Sequence, residues 1–588
     1  MTVELEAVLG DPRDGANPVG AARILRADER GELLAAGEEA LASWGLNAEF
    51  VPARLGGRLV AADRLVRAVR PVFRRDLSLG LGYGVTSLMA AVNVWSAGTP
   101  AQRRRVADLL LRGERLAVAY HEPEHGNDLA RNEFAARVDG DLLRLAGSKR
   151  VVNNIARCAA FVLFARTADS AGPRAHSLLL VERDRLDPAR VAFLPRTRTS
   201  GVRGVRLGGV RAADLPVPAT ALLGAPGRGM ENALRSFQVT RAVLPGLAVG
   251  AVDTALRTVL RFAMSRRLYG GTVLDLPHAR ETLAGALADL LAVDALATAA
   301  CRGLHLLPEQ SSLHSAAAKY LGARLLTGAM EELAVVLGAR YYLREGEHAL
   351  FGKHLRDLPV VGLGHAGETA CLLAIIPQLP ALARRAWRTP AAPPPALFAG
   401  PPGPLAAPAA PPPELPTPPP DPAAPLVAPD ADPAGLPELD FARLTLASAG
   451  RDDLTGLLLT ATVPEDGPRH LVASLADSLR ALARDAATTP PARRGPLADP
   501  ETMRLAERYA LLLAAAAAVG TWLAGRERGD PFLGEPRWLA ATLARLYGHL
   551  AGRPAPLPAG TADWLVRTLL DRERDGLSFD LSATPVRT

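Results

Sequence analysis

The sequence predicts a mainly α protein with a β domain set in its middle. Three observations lead there. Stretches with apolar residues at i, i+3 and i+4 spacing fill both ends of the chain. Between about Leu116 and Leu223 they give way to short apolar runs separated by turn residues. Finally, 20 of the 50 prolines fall between Pro390 and Pro437, which divides a large N-terminal part from a smaller C-terminal one. At 588 residues the chain is too long for one core.

The elements follow in order. Residues 1–117 read as helices: "ADERGELLAAGEEALASWG" and "TPAQRRRVADLLLRGE" are periodic, and Thr99-Pro100 gives an N-cap followed by Pro at the first helical position. Residues 118–225 read as a small antiparallel β domain, with "RLAVAY", "CAAFVLFART" and "HSLLLVERD" as strands and Asp139-Gly140 as a hairpin turn. Residues 226–387 read as a helix bundle. Its first helix, "NALRSFQVTRAVLPGLAVGAVDTALRTVLRFAMSRR", is expected to kink at Pro245. Gly246 and Gly250 leave room on it for a neighbouring helix. Residues 388–437 form an extended Pro-rich linker, and residues 438–588 a helical appendage. The longest apolar run, Tyr509–Ala524, is short of the roughly 20 residues that span a bilayer. Bracketed by Arg508 and Arg526, it reads as a buried helix. No internal repeat is visible.

The totals exclude several classes. A net charge of +7 is small for this length, and Arg103-Arg104-Arg105 reads as a solvated helix face, so no nucleic-acid partner is expected. Three cysteines without a CxxC pair argue against a disulfide framework. The N-terminus shows no secretory signal, so a cytoplasmic protein without a transmembrane segment is expected. There is no P-loop, HExxH, GxSxG or zinc-spaced His/Cys cluster, and no metal site is expected. "GLGYG" at 80–84 lacks the strand–turn–helix setting of a dinucleotide fingerprint. His278 and His314 read as surface or core residues, and Cys158 and Cys371 as small core residues.

Four polar clusters remain, all at element junctions: "YHEPEHGND" (120–128), "GSKRVVNN" (147–154), "SRRLYGG" (265–271) and "LGHAGET" (363–369). In order and spacing, together with "DGDLLRLAGSK", "LGAPGRGMENAL" and "VVLGARYYLREGEHALFGKHLRD", they resemble the blocks of the flavin-dependent acyl-CoA dehydrogenase family over roughly residues 20–385. The helical appendage is similar to that of the longer family members. The resemblance implies an N-terminal helical domain, a β-barrel-like middle domain and a four-helix bundle, with the C-terminal helical domain added. It implies FAD between β domain and bundle, in a site commonly completed by a second subunit. It also implies α,β-dehydrogenation of an acyl thioester on CoA or an acyl carrier protein, electron-transfer flavoprotein or oxygen as acceptor, and a homodimer or tetramer.

Carried over residue by residue, the resemblance assigns cofactor contacts to Tyr120, His121, Asn127, Val151, Asn153, Arg266, Tyr269 and Gly338. Arg266 matches the arginine that contacts the FAD pyrophosphate, and Gly338 the glycine near the other subunit's FAD. Arg241, on the long helix, is assigned to substrate. His121 replaces a threonine, Asn127 a serine, Val151 the frequent Trp and Asn153 a Thr.

The family's base is often a Glu eight residues after the Asp of an "RD" pair. Counted from Asp357 this position is His365; with one residue inserted it is Ala366. Three readings stand. His365 is the base, since an imidazole titrates near neutrality; or Glu368 reaches the site from a helix start whose dipole keeps it ionised; or dehydrogenation has been lost and "GHAGET" only caps a helix. The alternatives to a dehydrogenase are a degenerate homologue acting as a binding or heteromer subunit, and a flavin oxidase or monooxygenase on the same scaffold.

Overall fold

A computed structural model describes residues 4–169, 172, 174–364, 367–399, 435–464 and 466–587. Its N-terminal part is built from α1 (Ala21–Arg30), α2 (Ala35–Trp44), α3 (Ala62–Arg75), α4 (Thr86–Ala97) and α5 (Pro100–Leu111). Local chemistry sets their ends. Gly31 and Gly45 close α1 and α2 with φ of 68° and 73°, where a side chain would be strained. Thr99 caps α5 through a reciprocal box with Gln102, and Pro100 takes the first helical position. "GLGYG" is a single π-helical turn, Gly80–Val85, inside the helical part.

The β domain has strands β1 (Leu116–Ala119), β2 (Ala135–Asp139), β3 (Leu142–Asn153), β4 (Ala160–Arg166), β5 (His176–Glu182), β6 (Val191–Leu194), β7 (Leu207–Pro218) and β8 (Leu222–Leu223). The β2–β3 hairpin turns at Asp139-Gly140, with Gly140 at φ 60°. The sheet order is β6-β7-β3-β2-β4-β5-β8. The antiparallel expectation is corrected at two places: β1 lies parallel to β4, and β2 meets β4 in parallel through one residue pair. The chain enters β1 from the helical part and must leave it for the turn at 120–134, so β1 cannot form a hairpin with its neighbour. The inward side chains of this domain, among them Phe134, Leu143, Phe161 and Val210, form their own core beside the larger helical one.

The bundle contains α6 (Gly229–Ser265), α7 (Pro277–Leu306) and α8 (Ser311–Leu337), followed by the short α9 (Ala349–Asp357) and α10 (Glu368–Ile375). No break occurs at Pro245: α6 runs 37 residues through it. Lacking an N–H, Pro245 leaves the carbonyl of Arg241 without its helical donor. A Cβ on Gly246 would meet Val66 at 2.8 Å, and one on Gly250 the Arg70 carbonyl oxygen at 2.8 Å. These two positions let α3 pack backbone-close on α6.

Most of the expected Pro-rich linker, residues 400–434, lies outside the described residues. Beyond it α12 (Pro500–Glu527) packs on α7 and α8, α13 (Pro536–Ala551) and α14 (Thr561–Arg574) pack on α7, and α11 (Asp466–Ala487) packs on α12 and α13. The apolar run in α12 is buried, as expected. Among the described residues five helical stretches are long and apolar enough to cross a bilayer; four have 78–100% of the apolar window buried inside the protein. The fifth, Ala349–Arg384, strings short helices together and is 38% buried. The last segment threads back into the core. Arg70 donates to Asp580 at 2.8 Å and also to Asp294, while Arg74 pairs with Glu6 at 2.9 Å and Asp253 at 3.3 Å. The Phe579 and Leu581 amides donate to the Asp253 and Asp294 carboxylates at 3.1 and 3.0 Å.

Candidate active site

The turn that follows β1 is fixed from beneath. Glu122, buried, accepts from the amides of Glu133 (2.8 Å) and Phe134 (3.0 Å) and from Lys149 Nζ of β3 (2.8 Å). Lys149 also donates to the Tyr120 carbonyl at 3.0 Å. Burial pulls the Lys149 ammonium down to about 8 against the attraction of Glu122. Burial alone would raise the Glu122 carboxyl, but Lys149 and the two amides outweigh it and hold it below the ordinary range. Tyr120 is buried, with its hydroxyl 2.5 Å from Asn93 Oδ1 and its ring edge-on to Phe237 of α6 at 5.3 Å. It joins β domain to bundle. On top of the turn, His121 Nδ1 donates to the Gly126 carbonyl at 3.0 Å, and Asn127 is exposed.

The bundle presents its own charges to this turn. Arg241 is 4% exposed, with its guanidinium 5.4 Å from the Phe237 ring centroid. Its Nε has no acceptor, and among the described residues no carboxylate pairs with it. Lys319 of α8 is fully buried and donates to the Gly364 carbonyl. Glu368 is the first residue of α10; its carboxylate lies against Gly362 and 3.9 Å from Arg324. A Cβ on Gly367 would stand 3.7 Å from Asn127 Nδ2, so the 120–128 and 363–369 clusters are neighbours. Burial lowers the His121 imidazole, and the Lys149 and Lys319 charges lower it further. His365 lies outside the described residues.

Tyr120, His121, Asn127, Arg241 and Glu368 therefore gather at one junction. The other sequence candidates do not. Asn153 spends its amide on the Leu81 carbonyl (3.2 Å) and Thr86 Oγ1 (2.9 Å) of the helical part. Val151 is half exposed at an irregularity of the β3–β7 pairing. Arg266 and Tyr269 lie on the hairpin after α6, with Tyr269 92% exposed, and Gly338 ends α8. From Arg241 to Ser265 the helix rises ~36 Å, so this second group is remote from the first. Arg340, just after Gly338, stands 5.9 Å from the Phe262 ring, which places the end of α8 beside that hairpin. Val151, Tyr269 and Gly338 all hold positive φ, 58°, 53° and 58°. For Val and Tyr this is strained backbone, of a kind that persists where surrounding structure enforces it.

The motifs contained Glu122 and Lys149 without revealing that they pair. Lys319 gave one signal, a lone charge in the apolar "SAAAKYLGA". Gln238, one turn before Arg241, donates to the Thr445 carbonyl at 2.8 Å, which brings the post-linker segment onto α6 beside the junction. A flavin fits this donor set: among the described residues no carboxylate pairs with buried Arg241, and Asn127 is an exposed donor against Gly367. A cleft of about 1270 Å³ lies elsewhere, between the N-terminal helices, the end of α6 and residues 344–350. Most of its arginines are already paired, among them Arg74, Arg257, Arg261 and Arg344.

Residues 227–378 match the family model for the acyl-CoA dehydrogenase C-terminal domain. A probable acyl-CoA dehydrogenase, FadE25 of Mycobacterium tuberculosis, is 25% identical over 234 residues, 40% of this chain and 59% of that protein. The (2S)-methylsuccinyl-CoA dehydrogenase of Cereibacter sphaeroides is 26% identical over 316 residues, 52% of this chain and 57% of that one. The chain thus spans under two thirds of the length of these relatives. An acyl-CoA dehydrogenase from Bacillus anthracis, solved with FAD, superposes with a TM-score of 0.68 at 16% identity, covering 99% of this chain and 90% of its own. That likeness in fold extends through the appendage.

Proposed function

Since the chain belongs to the acyl-CoA dehydrogenase family, we propose that it is an FAD-dependent oxidoreductase that removes hydrogen across Cα–Cβ of an acyl thioester. One observation carries the reading: the 120–128 turn meets the start of α10, with Asn127 against Gly367. FAD, when bound, supplies the hydride acceptor that no side chain provides. Asn127 and His121 would hold it from the β side, and Arg241 faces it or the thioester from the bundle.

The α-proton needs a base fixed beside it. Glu368 is the first residue of α10. Its carboxylate, however, is turned towards Gly362 and Arg324. We assign the base to His365 by its distance from Asp357, with Glu368 as the alternative. Arg266, Tyr269 and Gly338, too far along α6 and α8 to reach the same cofactor, would serve the site of a second copy. This supports a dimer with shared sites. The thioester is carried on CoA or an acyl carrier protein, and electrons leave to electron-transfer flavoprotein or oxygen.

Absorbance of the purified protein tests the reading. A yellow flavin band bleached anaerobically by acyl thioesters is the expected result. A colourless protein that takes up no FAD overturns it in favour of a partner subunit without turnover. A flavin that reduces but yields peroxide rapidly in air points to an oxidase. His365→Ala and Glu368→Ala then assign the base, through loss of bleaching in one and retention in the other.

A further inference from the structure

We propose that the cleft between the N-terminal helices and the end of α6 is a second ligand site, built for a small phosphorylated molecule: arginines take the phosphate and an apolar floor takes the rest. This site does not depend on the dehydrogenase reading. The two places are well separated. The cleft is lined by residues from Pro12 to Arg30, by Arg74 and Arg75 of α3, by α6 from Thr254 to Ser265, by residues 344–350, and by Glu573 and Arg587 from the C-terminal end. Along α6, Thr254 stands ~20 Å beyond Arg241. Arg266, Tyr269 and Gly338, assigned above to the site of a second copy, do not line it.

Size, charge and unused nitrogens select the ligand. At about 1270 Å³ the cleft exceeds the ~300–1000 Å³ of ordinary small-molecule pockets. Nine lining residues are arginines and six are carboxylates, so cations prevail. Three of the nine, Arg26, Arg75 and Arg587, form no ion pair among the described residues. Arg75, 4% exposed, donates to the carbonyls of Val19 at 3.0 Å and of Gly10. Burial pulls its guanidinium down to about 10 against the attraction of Glu6 and Asp11. An anion beside it would offset that cost. The wall also holds Arg74 Nε, Arg257 Nε and His348 Nδ1, on side chains 4–8% exposed, without a hydrogen-bond partner among the described residues. Buried polar atoms of this kind ordinarily have partners, and acceptor oxygens suit these. The guanidinium fork matches phosphate. Leu25, Phe262 and Leu350 supply the apolar floor, with Phe262 edge-on to His348 at 5.3 Å. A phosphate ester bearing a ring or a chain meets both halves.

Titration calorimetry on the full-length protein tests the site with two probes: pyrophosphate, which is the head alone, and ADP, which adds a ring. Expected is one ADP per chain, bound more tightly than pyrophosphate. The variant is Arg26→Gln with Arg587→Gln, both exposed positions on the cleft. It should bind either probe roughly tenfold more weakly at an unchanged melting temperature. Arg241→Met and Arg266→Glu should bind both as the wild type does. Failure of both probes to bind at about 1 mM overturns the site. Equal affinity for the two overturns the role of the apolar floor. Binding undiminished in the double variant, or lost in Arg241→Met or Arg266→Glu, moves the probe to the acyl junction or to a shared cofactor site and overturns the assignment to this cleft. Should the double variant fail to fold, Arg26→Gln alone decides, by the same loss or retention of affinity.

Discussion

Lys149 and Glu122 form a 2.8 Å ion pair whose side chains are 0% and 7% exposed. The pair pins strand β3 to the turn that carries His121 and Asn127. Glu122→Gln would strand a buried ammonium and is expected to cost about 3–5 kcal/mol, read as a lower denaturant midpoint. The sign of the acid dependence follows from the direction of the carboxyl shift. Glu122 is held below its ordinary value. Its contribution is therefore present above the unfolded carboxyl range, about pH 4.3, and lost as pH falls through the folded value. In Glu122→Gln this part of the acid-unfolding curve should flatten.

Asn127 is exposed beside Gly367 and has an amide free to donate. Asn127→Ala should leave the melting temperature within experimental error. It should weaken FAD about fivefold, the worth of one hydrogen bond of about 1 kcal/mol. Flavin titration by fluorescence quenching checks it.

Asp580 accepts from Arg70 and lies 3.7 Å from Arg74, with all three buried. Asp580→Asn should destabilise by about 3–5 kcal/mol by leaving cations in the core short of a counter-charge. Calorimetry should show a lower transition, with flavin content unchanged in the protein that remains folded.

Arg266 and Asn127 belong to the two separated groups. If each cofactor is shared between subunits, Arg266→Glu and Asn127→Asp proteins, each poor in flavin, should complement. Unfolding and refolding them together should restore roughly a quarter of the sites, because half of the dimers are mixed and each has one intact site. No recovery on mixing would mean that each chain holds its own cofactor alone.

Much of this architecture was legible in local pattern. The periodic stretches became helices, Asp139-Gly140 turned a hairpin, Thr99 capped α5, and the glycines at 246 and 250 admitted α3. What escaped depended on tertiary surroundings. Parallel pairing of β1 with β4 is a contact across more than 40 residues, with no trace in either strand's composition. A lone Lys in "SAAAKYLGA" does not show in sequence that it is fully buried, since its burial depends on the helices packed around α8. Pro245 reads as a kink, and α6 continues through it as one helix of 37 residues. Among the candidate residues, spacing picked out positions that turn out to fall into two groups. The remoteness of Arg266 from Arg241 appears only once the helix between them is seen to be unbroken.

The ion pairs of the last segment also impose an order on biosynthesis. Asp580 lies 510 positions after Arg70. At roughly 5–20 residues per second, a ribosome needs about 25–100 s to make the stretch between them. Throughout that interval the nascent helical core carries arginines whose partners do not yet exist. Closure of the domain that houses the junction therefore comes late in synthesis, and a chain cut short before Asp580 has no finished core.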